Sequence, residues 1–230
     1  MAEPLWTPTP KQVESAKITK LRFLVNDEWR LSLGDSKALW EFSINEREKF
    51  WRTIIKFCDL KAETWGACDV IDADHMPGAR WFPEARFNFA ENLLKRRDEG
   101  EAIVFWGENG ARRYMTFAEL YDAVSQLAEA LRSDGVGPGD RVGGFLPNVP
   151  EAIVSMLAAV SLGATWSSCS PDFGLQGVLD RFGQIRPKVL FTCDGYFYNG
   201  KAHDIRGKTG NLVREVSSIE RVIVIPYTET

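Results

Sequence analysis

From Arg141 onward, short apolar runs alternate with helical patterns, and this restricts the fold more than any other feature of the chain. Arg141–Phe145, Lys188–Cys193 and Arg221–Ile225 read as buried strands, and a further short strand follows Gly163. Between them Pro150 sits near the first position of a helix that Asn148 caps, with Ile153, Leu157 and Val160 (or Met156) pointing inward. Gly163 ends that helix. The next buries Val178, Phe182 and Ile185 before Pro187, and a last helix is expected around Leu212–Ser218. Strands that alternate with helices build a parallel sheet with right-handed crossovers, so the expected class is α/β.

Upstream the pattern differs. Ala102–Trp106 and Arg112–Thr116 flank turn residues at Gly107–Gly110 and predict a hairpin. Thr116-Phe-Ala-Glu119 is a capping box, and Leu120, Val124, Leu127 and Leu131 mark the buried face of the helix behind it. Before residue 97 the chain reads as a helical extension. After a proline-spaced lead-in over residues 1–9, apolar spacing predicts one helix over Lys11–Asn26. Ser36–Cys58 is a second helical region, with Ser43-x-x-Glu46 as a capping box and Phe50, Ile54, Phe57 and Cys58 on one face. That aromatic stripe suits packing within the protein or a partner surface. Asp69–Phe89 is irregular, a short helix over Phe87–Leu94 follows, and the charged run Lys95–Glu99 places a domain boundary near 97.

Composition narrows the function. The formal net charge of −4 lacks the basic face that phosphate backbones require, which argues against nucleic acid as a partner. Four cysteines (Cys58, Cys68, Cys169, Cys193) form no C-x-x-C pair, and there are only two histidines, so a zinc site is not expected. Met1–Trp6 has no signal-peptide character, and the longest apolar run, Ala152–Trp166, is too short for a membrane span. A cytoplasmic protein with reduced thiols is the expectation. The chain ends at Thr230 directly after a strand-like run, which suggests an incomplete sheet.

Two local stretches invite a ligand. The loop Ser167–Gly174 is rich in hydroxyls and opens a helix, either as a binding loop or with Ser170 or Asp172 as an ordinary N-cap. Tyr198-Asn199-Gly200-Lys201 pairs a flexible glycine with a cation, as a phosphate contact or as a solvated turn. Asp180 and Arg181 suggest a charge pair on the helix between them. By contrast, Arg206-Gly-Lys-Thr-Gly210 fails as a phosphate loop, because Ala202 stands where the pattern needs glycine and no strand immediately precedes it. G-x-G-x-x-G after a strand, G-x-S-x-G and a helical H-E-x-x-H are all missing.

Five blocks taken together resemble a known family. They are F-N-F-A-E-N-L-L at Phe87–Leu94, G-D-R-V-G-G-F-L-P-N at Gly139–Asn148, W-S-S-C-S-P-D-F-G at Trp166–Gly174, V-L-D-R-F-G-Q-I-R-P-K at Val178–Lys188 and Y-N-G-K at Tyr198–Lys201. In this order they resemble the N-terminal third of the AMP-forming acyl-CoA synthetases, in the branch that activates acetoacetate. The resemblance implies a helical extension over 1–97 and the beginning of the adenylate-forming large domain over 98–230. It implies an acid–thiol ligase that converts acetoacetate, ATP and CoA to acetoacetyl-CoA, AMP and diphosphate through an acyl-adenylate, with magnesium and no covalently bound cofactor. The Ser/Thr/Gly-rich phosphate loop, the adenine motif, the ribose-binding aspartate and the lid lysine of that family have no counterpart here. No catalytic, ATP-binding or metal-binding residue is therefore assigned, and the chain alone is expected to be inactive without the C-terminal part of its own chain. The resemblance implies that Ser170 and Asp172 border the pantetheine channel and that Tyr198, Asn199, Gly200 and Lys201 meet the adenine and 3′-phosphate end of CoA. Arg206 and Lys208 would add to that positive field. The alternatives are a naturally short, non-catalytic CoA-binding or assembly module, and a related ligase for acetate or propionate.

Overall fold

The structure is a computed structural model that describes residues 4–228. The expectations for Met1–Glu3 and for the terminal Glu229–Thr230 lie outside the described residues. The chain divides into two compact units, residues 1–87 and 88–230. The boundary expected near 97 thus falls inside the second unit.

The first unit is built on helices α1 (Pro10–Ser15), α2 (Lys17–Trp29), α3 (Ser36–Asn45) and α4 (Arg47–Phe57). The single helix expected over Lys11–Asn26 is two helices, because Ala16 is extended (ψ 139°). Thr9 and Gln12 form a reciprocal capping box ahead of α1, with Pro10 at its first position. The box expected at Ser43 and Glu46 does not form. Leu39 and Phe42 are buried with Leu21 and Val25, so α3 runs on through Ser43, whose hydroxyl donates to Trp40 O at 2.7 Å. Phe50, Ile54 and Phe57 pack on this small core as the spacing required, whereas Cys58 is exposed. Trp29 Nε1 donates to the buried Thr53 hydroxyl at 2.9 Å and fixes α2 against α4. Strands β1 (Val70–Ile71) and β2 (Arg80–Trp81) form a minimal antiparallel pair in the otherwise irregular stretch.

The second unit begins with α5 (Phe89–Leu93), then the antiparallel hairpin β3 (Glu101–Trp106) and β4 (Arg112–Thr116). Helix α6 (Phe117–Ser133) starts at the capping box read from sequence: Glu119 N donates to Thr116 Oγ1 and Thr116 N to Glu119 Oε2. Leu120, Val124, Ala128 and Leu131 face the core, and Leu127 is half-buried. Strand β5 (Arg141–Phe145) then enters the main sheet, followed by α7 (Pro150–Ser161), β6 (Thr165–Cys169), α8 (Leu175–Ile185) and β7 (Val189–Cys193). A second hairpin, β8 (Gly195–Tyr198) with β9 (Lys201–Asp204), precedes α9 (Arg206–Glu215) and β10 (Arg221–Ile225). The helix expected at Leu212–Ser218 thus starts six residues earlier, at Arg206.

The main sheet has the order β10-β7-β5-β6, all parallel. The α/β expectation holds. Every residue of β7 is buried, as a parallel strand covered on both faces requires. Helices α6 and α7 pack together, as do α8 and α9, and right-handed crossovers place the two pairs on opposite faces. In α8, Val178 and Phe182 are fully buried one turn apart, each contributing roughly 1.5–3 kcal/mol. Arg186 adopts a left-handed conformation (φ 49°) that ends the helix before Pro187. In α7, Leu157 is buried, but so are Val154, Ser155, Ala158 and Ala159, while Ile153 is exposed. The N-cap of α7 is Val149, not Asn148, and its side chain makes no cap.

Two of the five blocks serve architecture in this chain. Arg141 Nε donates to Ile185 O at 2.8 Å and its Nη2 to Arg186 O at 3.2 Å, so the G-D-R segment caps the C-terminus of α8. Asn88 Oδ1 caps α5 while its Nδ2 donates to Val160 O at 2.9 Å, joining α5 to the end of α7. No described helix is long and apolar enough to cross a membrane.

Candidate functional site

The sheet positions the site. Open parallel sheets take ligands at the carboxyl ends of their strands, where neighbouring crossovers leave toward opposite faces. The loop after β5 leads to α7, whereas those after β6 and β7 lead toward α8 and α9. The carboxyl ends of β5, β6 and β7 are Phe145, Cys169 and Cys193, and the segments after β6 and β7 carry every candidate CoA-binding residue read from sequence.

Ser170–Phe173 is a β-turn with Pro171 at its second position, and Phe173 N donates to Ser170 O at 3.2 Å. Pro171 is buried, while Ser170, Asp172 and Phe173 are exposed. Neither Ser170 nor Asp172 caps α8: its N-cap is Gly174, which supplies no side chain. What holds the loop comes from elsewhere. Lys208 Nζ, from the first turn of α9, donates to Pro171 O at 2.9 Å and to Phe173 O at 2.8 Å. The Arg181 guanidinium lies 4.7 Å from the centre of the Phe173 ring, and Asp180 accepts from Gln176 at 2.8 Å. The Asp180–Arg181 pair expected from sequence is replaced by these two separate contacts.

Asn199-Gly200 is the two-residue turn of the β8–β9 hairpin, and Tyr198 and Lys201 are the strand residues that pair across it. Asn199 (φ 51°) and Gly200 (φ 71°) both take positive φ, the combination for which Asn-Gly is the preferred pair. A Cβ on Gly200 would meet nothing within 4 Å, so the glycine answers to backbone conformation and not to crowding. The turn leaves Tyr198 and Lys201 exposed. Behind it the Tyr196 and His203 rings stack with centroids 5.0 Å apart. Burial pushes the Tyr196 phenol up, and the negative charge of Asp172 adds to this, which ties the hairpin electrostatically to the Ser170–Phe173 turn.

The cations Arg206 and Lys208, expected to add to a phosphate field, have partners inside the chain. Arg206 binds Asp204 through Nε at 3.0 Å and Nη2 at 2.6 Å, and this contact holds the Asp204 carboxyl below its ordinary range. The whole run Arg206–Gly210 is the start of α9, and Thr209 Oγ1 lies 3.0 Å from Thr192 Oγ1 in the core. It has no phosphate-loop shape.

Asp194 was not singled out from sequence. Placed at the end of β7, it is buried, and its carboxylate accepts the N–H groups of Gly195 (2.9 Å), Tyr227 (2.8 Å) and Thr228 (3.1 Å). The local signal is the pair Asp194-Gly195 directly after a buried strand, but two of its three partners, Tyr227 and Thr228, lie more than thirty residues downstream. The two thiols at the strand ends are buried and held in the protonated form. Burial pushes Cys169 up to about 11, with Arg181 pulling against it, and pushes Cys193 up to about 12, helped by the charge of Asp194. Among the described residues no group of three histidine, cysteine or carboxylate side chains is placed to hold a metal ion.

Comparison with known proteins adds to this geometry. Residues 36–93 match the acetyl-coenzyme A synthetase N-terminus family, and residues 89–228 match AMP-binding enzymes. Acetoacetyl-coenzyme A synthetase of Rhizobium meliloti (strain 1021) is 44% identical over 224 residues, covering 97% of this chain and 34% of that protein. Acetoacetyl-CoA synthetase of Danio rerio is 38% identical over 230 residues, covering 98% and 34% respectively. The solved structure of acetoacetyl-CoA synthetase from Streptomyces lividans superposes with a TM-score of 0.93 at 41% identity, covering 100% of this chain and 36% of that one. The chain thus spans about a third of the length of the relatives it matches. With more than half of its residues matched by that family and its parallel sheet superposing on a solved relative, the chain belongs to the AMP-binding enzymes.

Proposed function

We propose that these residues form the N-terminal part of an acetoacetate–CoA ligase. In that reaction the acetoacetate carboxylate attacks the α-phosphorus of ATP and diphosphate leaves. The CoA thiolate then attacks the acyl carbon of acetoacetyl-AMP and AMP leaves. The observation that carries the reading is the match to acetoacetyl-CoA synthetases over 97% or more of the chain, at 44% and 38% identity. A ligase of this kind uses ATP, CoA and acetoacetate as substrates and magnesium to neutralise phosphate charge, in the cytoplasm.

The residues present support the CoA end of such a site. Ser170 and Asp172 are exposed on a turn at the carboxyl edge of the sheet, and offer hydroxyl and carboxylate groups to the amides of a pantetheine arm. The hairpin Tyr198, Asn199, Gly200 and Lys201 presents one ring and one ammonium to solvent, groups that suit an adenine face and a 3′-phosphate. Acyl-adenylate formation needs dipoles and cations aimed at the transferring phosphorus, and these belong to the remainder of the ligase in this reading.

The test is AMP and acyl-CoA formation by the protein carrying the full natural reading frame, with acetoacetate, acetate and propionate offered in parallel. AMP release that depends on acetoacetate and CoA, at least tenfold above the other acids, is the expected outcome. A preference for acetate or propionate would replace the substrate, and no AMP with any acid would remove the ligase assignment. Residues 1–230 alone should release none.

A further inference from the structure

Lys208 occupies a place that helix electrostatics disfavours. It stands in the first turn of α9, beside Arg206, where the peptide dipoles already present positive charge. Two carbonyls compensate for it: Pro171 O at 2.9 Å and Phe173 O at 2.8 Å, which take two of the three ammonium protons. The turn it grips has little else within its own sequence, a single hydrogen bond from Phe173 N to Ser170 O at 3.2 Å and an N-cap glycine without a side chain. With its carbonyls held by the ammonium, the turn keeps Pro171 buried and Asp172 exposed. Arg181 grips the same turn from α8, 4.7 Å from the Phe173 ring centre.

We propose that Lys208 is a positioning residue that holds the Ser170–Gly174 loop in the shape that receives the pantetheine arm of CoA. This rests on the ligase reading above. Lys208 acts through the loop and touches no reacting atom. Its loss therefore affects the thioester-forming half-reaction, which uses CoA, and spares the adenylation half-reaction, which does not.

The experiment compares wild type, Lys208→Met and Lys208→Arg in the protein with its full reading frame. Adenylation is read by acetoacetate-dependent exchange of labelled diphosphate into ATP without CoA. The second half-reaction is read by the KM for CoA, and CoA affinity by titration calorimetry. Lys208→Met should raise the KM and Kd for CoA about tenfold and leave exchange within about twofold, and Lys208→Arg should recover most of the loss. Should the methionine variant not fold, Lys208→Gln, which keeps a donor, should show the same split at smaller amplitude. An unchanged KM for CoA, or a parallel fall in both half-reactions, would overturn the role of Lys208 while an active wild type leaves the ligase reading intact. A wild type that neither exchanges diphosphate nor binds CoA removes both.

Discussion

The Asp194 carboxylate accepts the backbone N–H of Tyr227 at 2.8 Å, joining the end of β7 to the segment that leaves β10. The same group accepts from Gly195 and Thr228, so one buried side chain satisfies three main-chain donors at the carboxyl edge of the sheet. Removing it strands those donors in a dry place. Asp194→Ala should destabilise the protein by about 3 kcal/mol, read as a lower urea midpoint at unchanged slope. Asp194→Asn, which keeps one acceptor oxygen, should cost less.

Gly144 is set by contact and not by conformation. A Cβ there would lie 2.5 Å from a ring carbon of Trp166 and 3.2 Å from Ser168 Cβ. Trp166 and Phe191, with ring centroids 6.0 Å apart, are the side chains of the strands flanking β5 that close over that position. Gly144→Ala should cost about 2 kcal/mol, more than Gly143→Ala, whose nearest contacts start at 3.3 Å. Combining Gly144→Ala with Trp166→Leu should recover part of the loss in a double-mutant cycle.

Thiol reactivity should divide by burial. Iodoacetamide on the native protein at about pH 8 should label the exposed Cys58 quickly and Cys169 and Cys193 only on unfolding, a difference read by peptide mass spectrometry. The two buried thiols also set a pH dependence. Their folded values, about 11 and about 12, lie above the ordinary 9.0, so between these limits the unfolded chain has released protons that the folded one retains. Stability from this source is complete below about pH 9 and falls as pH rises toward 11 to 12. Cys169→Ala combined with Cys193→Ala should flatten that alkaline decline.

Asp98 offers a test on the surface. Its carboxyl is held down to about 2, first by the side-chain hydrogen bond from Arg96 and then by the Gly100 N–H. A carbon-detected NMR titration should find it ionised well below the ordinary 3.8. The contact should persist above that ordinary value and be lost as pH falls through about 2. Arg96→Met should move the midpoint partway back up.

The Asn-Gly turn and Lys201 separate structure from binding. Gly200→Ala forces a side chain onto φ 71° and should cost about 1 kcal/mol in stability. Lys201→Ala removes an exposed ammonium and should leave stability within about 0.5 kcal/mol. If the proposed 3′-phosphate contact is made, it should raise the KM for CoA and leave the KM for dephospho-CoA unchanged. Equal KM values for the two forms in Lys201→Ala and wild type alike would exclude the contact.

What the sequence determined by itself was local in kind. The Thr116–Glu119 capping box, the Val178–Phe182 face, the β3–β4 hairpin and the buried strand β7 each express a period, a run or a cap that a dozen residues suffice to state. Those features fix α/β, because strands that alternate with helices leave a parallel sheet as the arrangement that buries them. Local rules failed where a distant partner decided. Ser43 reads as a cap until Leu39 and Phe42 find Leu21 and Val25, whose burial carries α3 past it. Asp172 reads as a cap, yet α8 starts from Gly174 and the turn that carries Asp172 is held by Lys208, 35 residues beyond Phe173. Lys208 and Arg206 read as free charge for a ligand, yet Pro171, Phe173 and Asp204 claim them. A side chain's composition states which hydrogen bonds it is able to make. Which it makes depends on the groups that folding brings within about 3 Å, and for Lys208 and Asp194 only the tertiary structure supplied them.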